Sequence, residues 1–193
     1  MSSTRPRLRC ADVVNFSAPP VAVAQALIGC TLLVDGVGGR IVETEAYDVD
    51  DEASHSFRGM TPRNGAMFGP PGTTYVYRSY GLHWCFNIVC REAGHGAAVL
   101  LRAIEPTHGI EVMRARRRVE SLRNLCSGPG KLAQALGITG ALDHRRIDEP
   151  PFVLVPPDVA SVVNFGARIG ISKAQHLPWR FTLSESDFLS KKL

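Results

Sequence analysis

No run of apolar residues in this chain approaches the roughly 20 that a membrane-crossing helix needs, so no helical span is expected. Its start, Met1-Ser2-Ser3-Thr4-Arg5-Pro6-Arg7, lacks the apolar core of a secretion signal. Residues 1–16 read instead as a loose basic arm. There is no Cys-x-x-Cys pair. The five cysteines (Cys10, Cys30, Cys85, Cys90 and Cys126) are odd in number and scattered, which argues against a disulfide framework and for reduced, mostly buried thiols in a cytosolic compartment. No His/Cys/Asp cluster stands at ligand spacing, so neither a metal nor a cofactor is expected. Internal repeats and low-complexity linkers are absent as well. Residues 17–193 are left as one domain, long enough to bury a sizeable core.

Neither charge dominates: the net charge is +4 and the isoelectric point about 8.9, which permits a nucleic-acid partner without demanding one. Aromatic residues make up only 7% of the chain, yet all four tyrosines fall between Tyr47 and Tyr80. The first closes the run Gly39-Arg-Ile-Val-Glu-Thr-Glu-Ala-Tyr47. Here Ile41, Glu43, Glu45 and Tyr47 alternate with Val42, Thr44 and Ala46, a strand pattern that puts two carboxylates and a tyrosine on one face. An unpartnered buried carboxylate is costly, so the plain alternative is an edge strand with a solvated acidic face.

The other three tyrosines lie in Tyr75-Val-Tyr-Arg-Ser-Tyr-Gly81, behind the turn Gly69-Pro-Pro-Gly72. Residues 73–79 and 84–89 read as the two strands of a hairpin with Tyr80 near its tip. An aromatic at a tip either packs on a neighbouring loop or enters a partner, as the wedges of minor-groove proteins do. Four tyrosines interleaved with Arg58, Arg63 and Arg78 suit a surface that stacks bases and neutralises phosphates.

Elsewhere, 20–27 form a short helix stopped by Gly29, and 31–34 pairs with 40–47 around the loop 35–39. A buried strand spans 97–103 and carries Arg102, which needs an acid or ligand to meet it. A helix over 109–125 bears Arg114-Ala-Arg-Arg-Arg118, a solvated face or a phosphate-binding one. Ser127-Gly-Pro-Gly-Lys131 opens a further helix over 132–136. The proline-rich stretch 148–157 is read as surface cover, and 167–171 and 179–183 as short strands closing the sheet.

Several blocks resemble the alkyladenine (3-methyladenine, methylpurine) DNA glycosylases of the mammalian type. They include Gly39–Tyr47, Asp51-Glu-Ala-Ser-His-Ser56, Thr61-Pro-Arg-Asn64, Tyr75-Val-Tyr77, Tyr80-Gly81, Val99-Leu-Leu-Arg-Ala-Ile-Glu-Pro106, Leu125-Cys-Ser-Gly-Pro129 and Arg168-Ile-Gly-Ile171, in family order from about Val21 to Phe181. The resemblance implies a single α+β domain: a curved antiparallel β-sheet flanked by helices, with a β-hairpin that enters the DNA minor groove. It implies Glu45 as the general base, with Arg102 and the backbone carbonyl of Ile169 holding the water. Tyr47 and Tyr77 would sandwich a flipped base, His55 would meet its edge, and Asn87 would disfavour the exocyclic amine of guanine. Tyr80 would fill the gap left in the duplex, while Arg63, Arg117 and Lys131 would contact the DNA backbone. The implied partner is double-stranded DNA containing alkylated or deaminated purines, met by a monomer without cofactor, metal or membrane. Its location would be cytoplasmic, on the nucleoid, in a bacterium and nuclear in a eukaryote.

The chemistry agrees. A base inside the duplex must be extruded before water reaches its glycosidic bond. Stacking on tyrosine supplies about 1–3 kcal/mol per base, and an electron-rich ring favours a cationic N-alkylpurine by roughly 0.5–2 kcal/mol. One carboxylate and a water then suffice, through an oxocarbenium-like transition state. Lys131 reads as a phosphate contact rather than a Schiff-base nucleophile, so no strand cleavage is expected. The rival reading is a non-catalytic nucleic-acid-binding or lesion-sensing module of the same fold, which would have no need of Glu45.

Overall fold

The computed structural model describes residues 14–193, so the stretch 1–13 of the expected basic arm lies outside the described residues. Of residues 14–16, Val14 is buried in the core and Phe16 packs against it.

The order of elements is α1 (Pro20–Leu27), β1 (Thr31–Val34), β2 (Val37–Tyr47), a 3₁₀ turn (Gly65–Phe68), β3 (Thr74–Ser79), β4 (His83–Cys90) and β5 (Ala97–His108), followed by α2 (Ile110–Arg117), α3 (Leu122–Leu125), α4 (Pro129–Leu136), a 3₁₀ turn (Gly140–Leu142), β6 (Phe152–Val155), β7 (Val163–Gly166) and β8 (Arg180–Leu183). All strand pairs are antiparallel. The strands form one curled half-barrel sheet in the order β3-β4-β5-β2-β1-β6, with β8 joining β2 to β7. Helix α1 packs on β2 and β5, and α4 on β4 and β5. The result is the α+β fold expected from the sequence.

Strand β2 is central. It pairs with β5 along one side, and with β1 and then β8 along the other. The solvated edge-strand alternative is therefore excluded, and Glu43 and Glu45 are both fully buried. The alternation also needs one correction. Register shifts against β5 between Ile41, Glu43 and Thr44 mark a β-bulge, and a bulge inserts an extra residue that changes which face follows. Ile41 consequently joins the main core with Ala46, and Thr44 donates its hydroxyl to the Ala24 carbonyl in α1 at 2.9 Å. Val42, not Ile41, clusters with Ala103 and Leu189 beside the acids.

Gly39 is dictated by crowding: a Cβ there would lie 1.9 Å from the Glu105 carbonyl oxygen on β5. The expected loop 35–39 contracts to a two-residue turn, Asp35-Gly36, with φ of 49° and 76°, the pairing that tight hairpins favour.

Three more expectations change. The helix over 109–125 breaks at Arg118, whose φ of 54° ends α2, and α3 starts afresh at Leu122. The stretch 148–157 contains β6, which adds to the sheet through β1. Residues 167–171 form a loop rather than a strand. That loop makes up part of the site.

Candidate active site

Strand β2 delivers Glu45 into a closed ring of donors. Its Oε2 accepts from the Tyr47 hydroxyl at 2.8 Å and from Arg102 Nη1 at 3.2 Å. Its Oε1 accepts from the Ile169 backbone N–H at 2.7 Å. Arg102 comes from β5, which pairs with β2, and so reaches both acids; its Nε donates to Glu43 Oε1 at 2.9 Å. Burial alone would raise the Glu43 pKa, but Arg102, Ser190 and Arg180 outweigh it and hold the carboxyl below its ordinary value. Burial alone would likewise lower the Arg102 pKa, and the two glutamates reverse the direction. Each of these buried charges is thus paired and hydrogen-bonded, the condition for keeping them ionised away from water.

A cavity of about 740 Å³ opens in front of this ring. Tyr47, Arg102 and Ile169, which bond Glu45, all line it, so the carboxylate lies one layer behind the wall. Such a volume suits a small-molecule-sized guest. The side walls are aromatic. Tyr75 and Tyr77, two residues apart on β3 and hence on one face, stack with centroids 5.2 Å apart and 28° between planes. His55 meets Tyr77 edge-on at 4.5 Å and shares a 2.9 Å hydrogen bond between Nδ1 and the Tyr75 hydroxyl. Burial, and then the charge of Arg63, push the His55 pKa down, so its ring is neutral at pH 7. Burial first, then neighbours including Glu45, push the Tyr47 and Tyr77 phenols well above their ordinary values; Tyr47 remains a donor to Glu45. Asn87, opposite Tyr75 in the β3–β4 ladder, donates Nδ2 to the Tyr75 carbonyl at 2.9 Å and also lines the cavity.

At the cavity mouth the β3–β4 hairpin turns through Tyr80 and Gly81, with φ of 50° and 70°. Tyr80 is 91% exposed, and Leu82 beside it is 75% exposed. A non-glycine residue held in the left-handed region with a bare aromatic ring is strained for no gain in packing. Arg63 lines the same mouth and donates to the Arg78 carbonyl at 3.0 Å. Lys131, exposed on the first turn of α4, lies 3.4 Å from the Ser127 hydroxyl, and Pro129 of that turn lines the cavity. Arg117 is not brought to the mouth; it donates to Gln134 across the α2–α4 contact. For Ile169 the structure adds a contact of the peptide N–H to Glu45, beside the water-holding role that the resemblance implies for its carbonyl.

The model of the family Methylpurine-DNA glycosylase (MPG) matches residues 14–187. The chain belongs to the methylpurine-DNA glycosylase family. A relative from Nitrosospira multiformis, provisionally named 3-methyladenine DNA glycosylase, is 63% identical over 92% of each chain. Proteins with the same provisional name from Rhodopseudomonas palustris and Agrobacterium fabrum are 61% and 56% identical, covering 88% and 92% of this chain and 84% and 90% of theirs. As a methylpurine-DNA glycosylase the protein is a DNA-binding repair enzyme, a hydrolase of N-glycosyl bonds. Among the described residues no helix is long and apolar enough to cross a membrane. Among them, too, no group of three His, Cys, Asp or Glu is placed to hold a metal.

Four groups of this methylpurine-DNA glycosylase site had no role in the sequence reading. Tyr75 was detectable as the same-face neighbour of Tyr77. Arg168 is fully buried, bonds Asp51 through both terminal nitrogens, and stacks between Tyr47 (4.7 Å) and Trp179 (5.4 Å). Arg180 and Ser190 complete the shell of Glu43.

Proposed function

We propose that this enzyme is a monofunctional glycosylase of base excision repair that turns an alkylated purine out of duplex DNA into the 740 Å³ cavity and hydrolyses its glycosidic bond with a Glu45-activated water. The substrates are 3-methyladenine and 7-methylguanine, with hypoxanthine and ethenoadenine as further candidates. A purine entering between Tyr47 and the Tyr77–His55 wall stacks on both sides, and a cationic one gains further from the electron-rich rings. The positive purine departs with little or no protonation, so one base suffices.

Glu45 Oε2 already accepts two hydrogen bonds and Oε1 accepts one. The remaining lone pair of Oε1 is where a water proton is taken. The same carboxylate stabilises positive charge developing at C1′. Tyr80 fills the space the base leaves, Asn87 disfavours the exocyclic amine of guanine at the cavity edge, and Arg63 and Lys131 face the backbone.

The observation that supports this reading is a buried carboxylate, bonded by three residues that themselves line an aromatic cavity. A lesion-sensing module has no use for that arrangement, whose desolvation costs several kcal/mol or so per ion. The test is Glu45→Gln, which is nearly isosteric but takes no proton. Binding to methylated duplex persists while base release drops by about 10²–10⁴-fold. Release at the wild-type rate sinks the assignment.

A further inference from the structure

The chain after β8 folds back over the rear of the acid pair. Phe188 and Leu189 pack with Val42 and Ala103, which brings Ser190 against Glu43. The Ser190 backbone N–H donates to Glu43 Oε2 at 2.6 Å, and its hydroxyl donates to Oε1 at 2.8 Å. The same hydroxyl accepts from Arg102 Nη2 at 3.3 Å. One residue later, the Lys191 carbonyl accepts from Arg180, whose Nε donates to Glu43 at 2.8 Å. The buried charges therefore run Arg180, Glu43, Arg102, Glu45, alternating in sign. Ser190 bridges Glu43 and Arg102 within that row.

We infer that the tail segment Phe188–Lys191, through Ser190, is a positioning element for the reaction: it fixes how Arg102 is shared between Glu43 and Glu45. This rests on the reading of Glu45 as the base. Glu43 Oε1 receives three donors, Arg102, Arg180 and the Ser190 hydroxyl. Removing the hydroxyl leaves Glu43 short of a donor and leaves Arg102 Nη2 without its acceptor. The guanidinium is then drawn toward Glu43 and away from Glu45, since a buried carboxylate recruits whatever donor is in reach. Ser190 touches neither the cavity nor Glu45 and lies beyond the residues matched by the family, 14–187. The charged and titratable groups around Glu45 come from several elements: Tyr47 and Glu43 on its own strand, Arg102 on β5, Tyr77 on β3, Cys85 on β4 and Arg180 across the ladder on β8. Of the cations in this set, Arg102 is the one Ser190 holds directly.

The experiment compares wild type, Ser190→Ala and Ser190→Thr in release of 3-methyladenine from methylated duplex across pH, beside binding to the same duplex and thermal melting. Ser190→Ala lowers kcat about 10-fold, the scale of one hydrogen bond to a charged group. It leaves binding unchanged and moves the acid limb of the kcat profile to higher pH, because a carboxylate losing its cation is easier to protonate. Ser190→Thr keeps both donors and restores rate and profile. A Ser190→Ala enzyme with an unshifted profile overturns the inference, whether or not its melting temperature falls; so does a threonine variant that fails to rescue. Should the alanine variant not fold, Ser190→Cys, similar in shape but a weaker donor, is expected to give a smaller shift in the same direction, and wild-type behaviour overturns the inference. Glu45→Gln run alongside separates the two readings. Activity in that variant removes Glu45 as base, whereas an inactive Glu45→Gln with an unperturbed Ser190→Ala rejects only the role of the tail.

Discussion

Replacing Arg168 by Met tests whether the loop behind Tyr47 is held by one buried ion pair. The Arg168 and Asp51 side chains are both fully buried, and the guanidinium also donates to the Ala46 carbonyl at 3.0 Å. Methionine roughly fills the slot between Tyr47 and Trp179 but leaves the Asp51 carboxylate with only its bond from the Ala53 N–H at 3.0 Å. Breaking a buried pair from one side costs about 3–5 kcal/mol. At roughly 2–4 °C per kcal/mol for a domain of this length, the melting temperature falls by about 6–20 °C. Ile169, next in the chain, carries the N–H that holds Glu45 Oε1, so base release by the folded enzyme falls too. Thermal melting of Arg168→Met, Asp51→Asn and the double variant checks the argument. The double variant should recover part of the loss, because the stranded charge has gone with its partner. A melting shift under about 3 °C for Arg168→Met, or strict additivity in the double variant, refutes the reasoning.

Tyr80→Gly should keep or raise the melting temperature, by relieving a left-handed tyrosine worth about 1 kcal/mol, while slowing excision most for well-paired lesions; a parallel loss of stability and activity would argue for packing instead. Asn87→Ser should raise release of guanine-derived bases relative to adenine-derived ones, and an unchanged ratio in a competition assay moves specificity elsewhere. His55 has its pKa lowered by burial and then by Arg63, so below its unfolded value of 6.5 the unfolded chain binds the extra proton first. Stability should therefore rise with pH through the window just under 6.5, and His55→Gln should flatten that component in denaturant titrations at several pH values; an identical slope contradicts it.

Much of the site could be read along the chain because its chemistry is local to strands. The period-two spacing puts Glu43 with Glu45 and Tyr75 with Tyr77, while the loop expected over 35–39 is in fact a two-residue turn at Asp35-Gly36. The bulge at Ile41–Glu43 could not be read, since alternation carries no mark of an inserted residue until the partner strand is known. Likewise Arg168, Arg180 and Ser190 reach Asp51 and Glu43 across more than a hundred residues. No spacing rule links them. The helix break at Arg118 was hidden because an arginine run suits a helix and left-handed arginine has no sequence signature.

The β3–β4 hairpin carries both ends of the proposed recognition event. Tyr80 stands at its tip, and Tyr77, Tyr75 and Asn87 stand on the same two strands below it, in fixed register. Along a strand each residue advances about 3.3 Å, so tip and pocket are separated by a ruler of roughly 10 Å that neither side chain can alter. Under the proposed function, probing the duplex with the tip and inspecting the base in the cavity would be one mechanical act, because one pair of strands carries both.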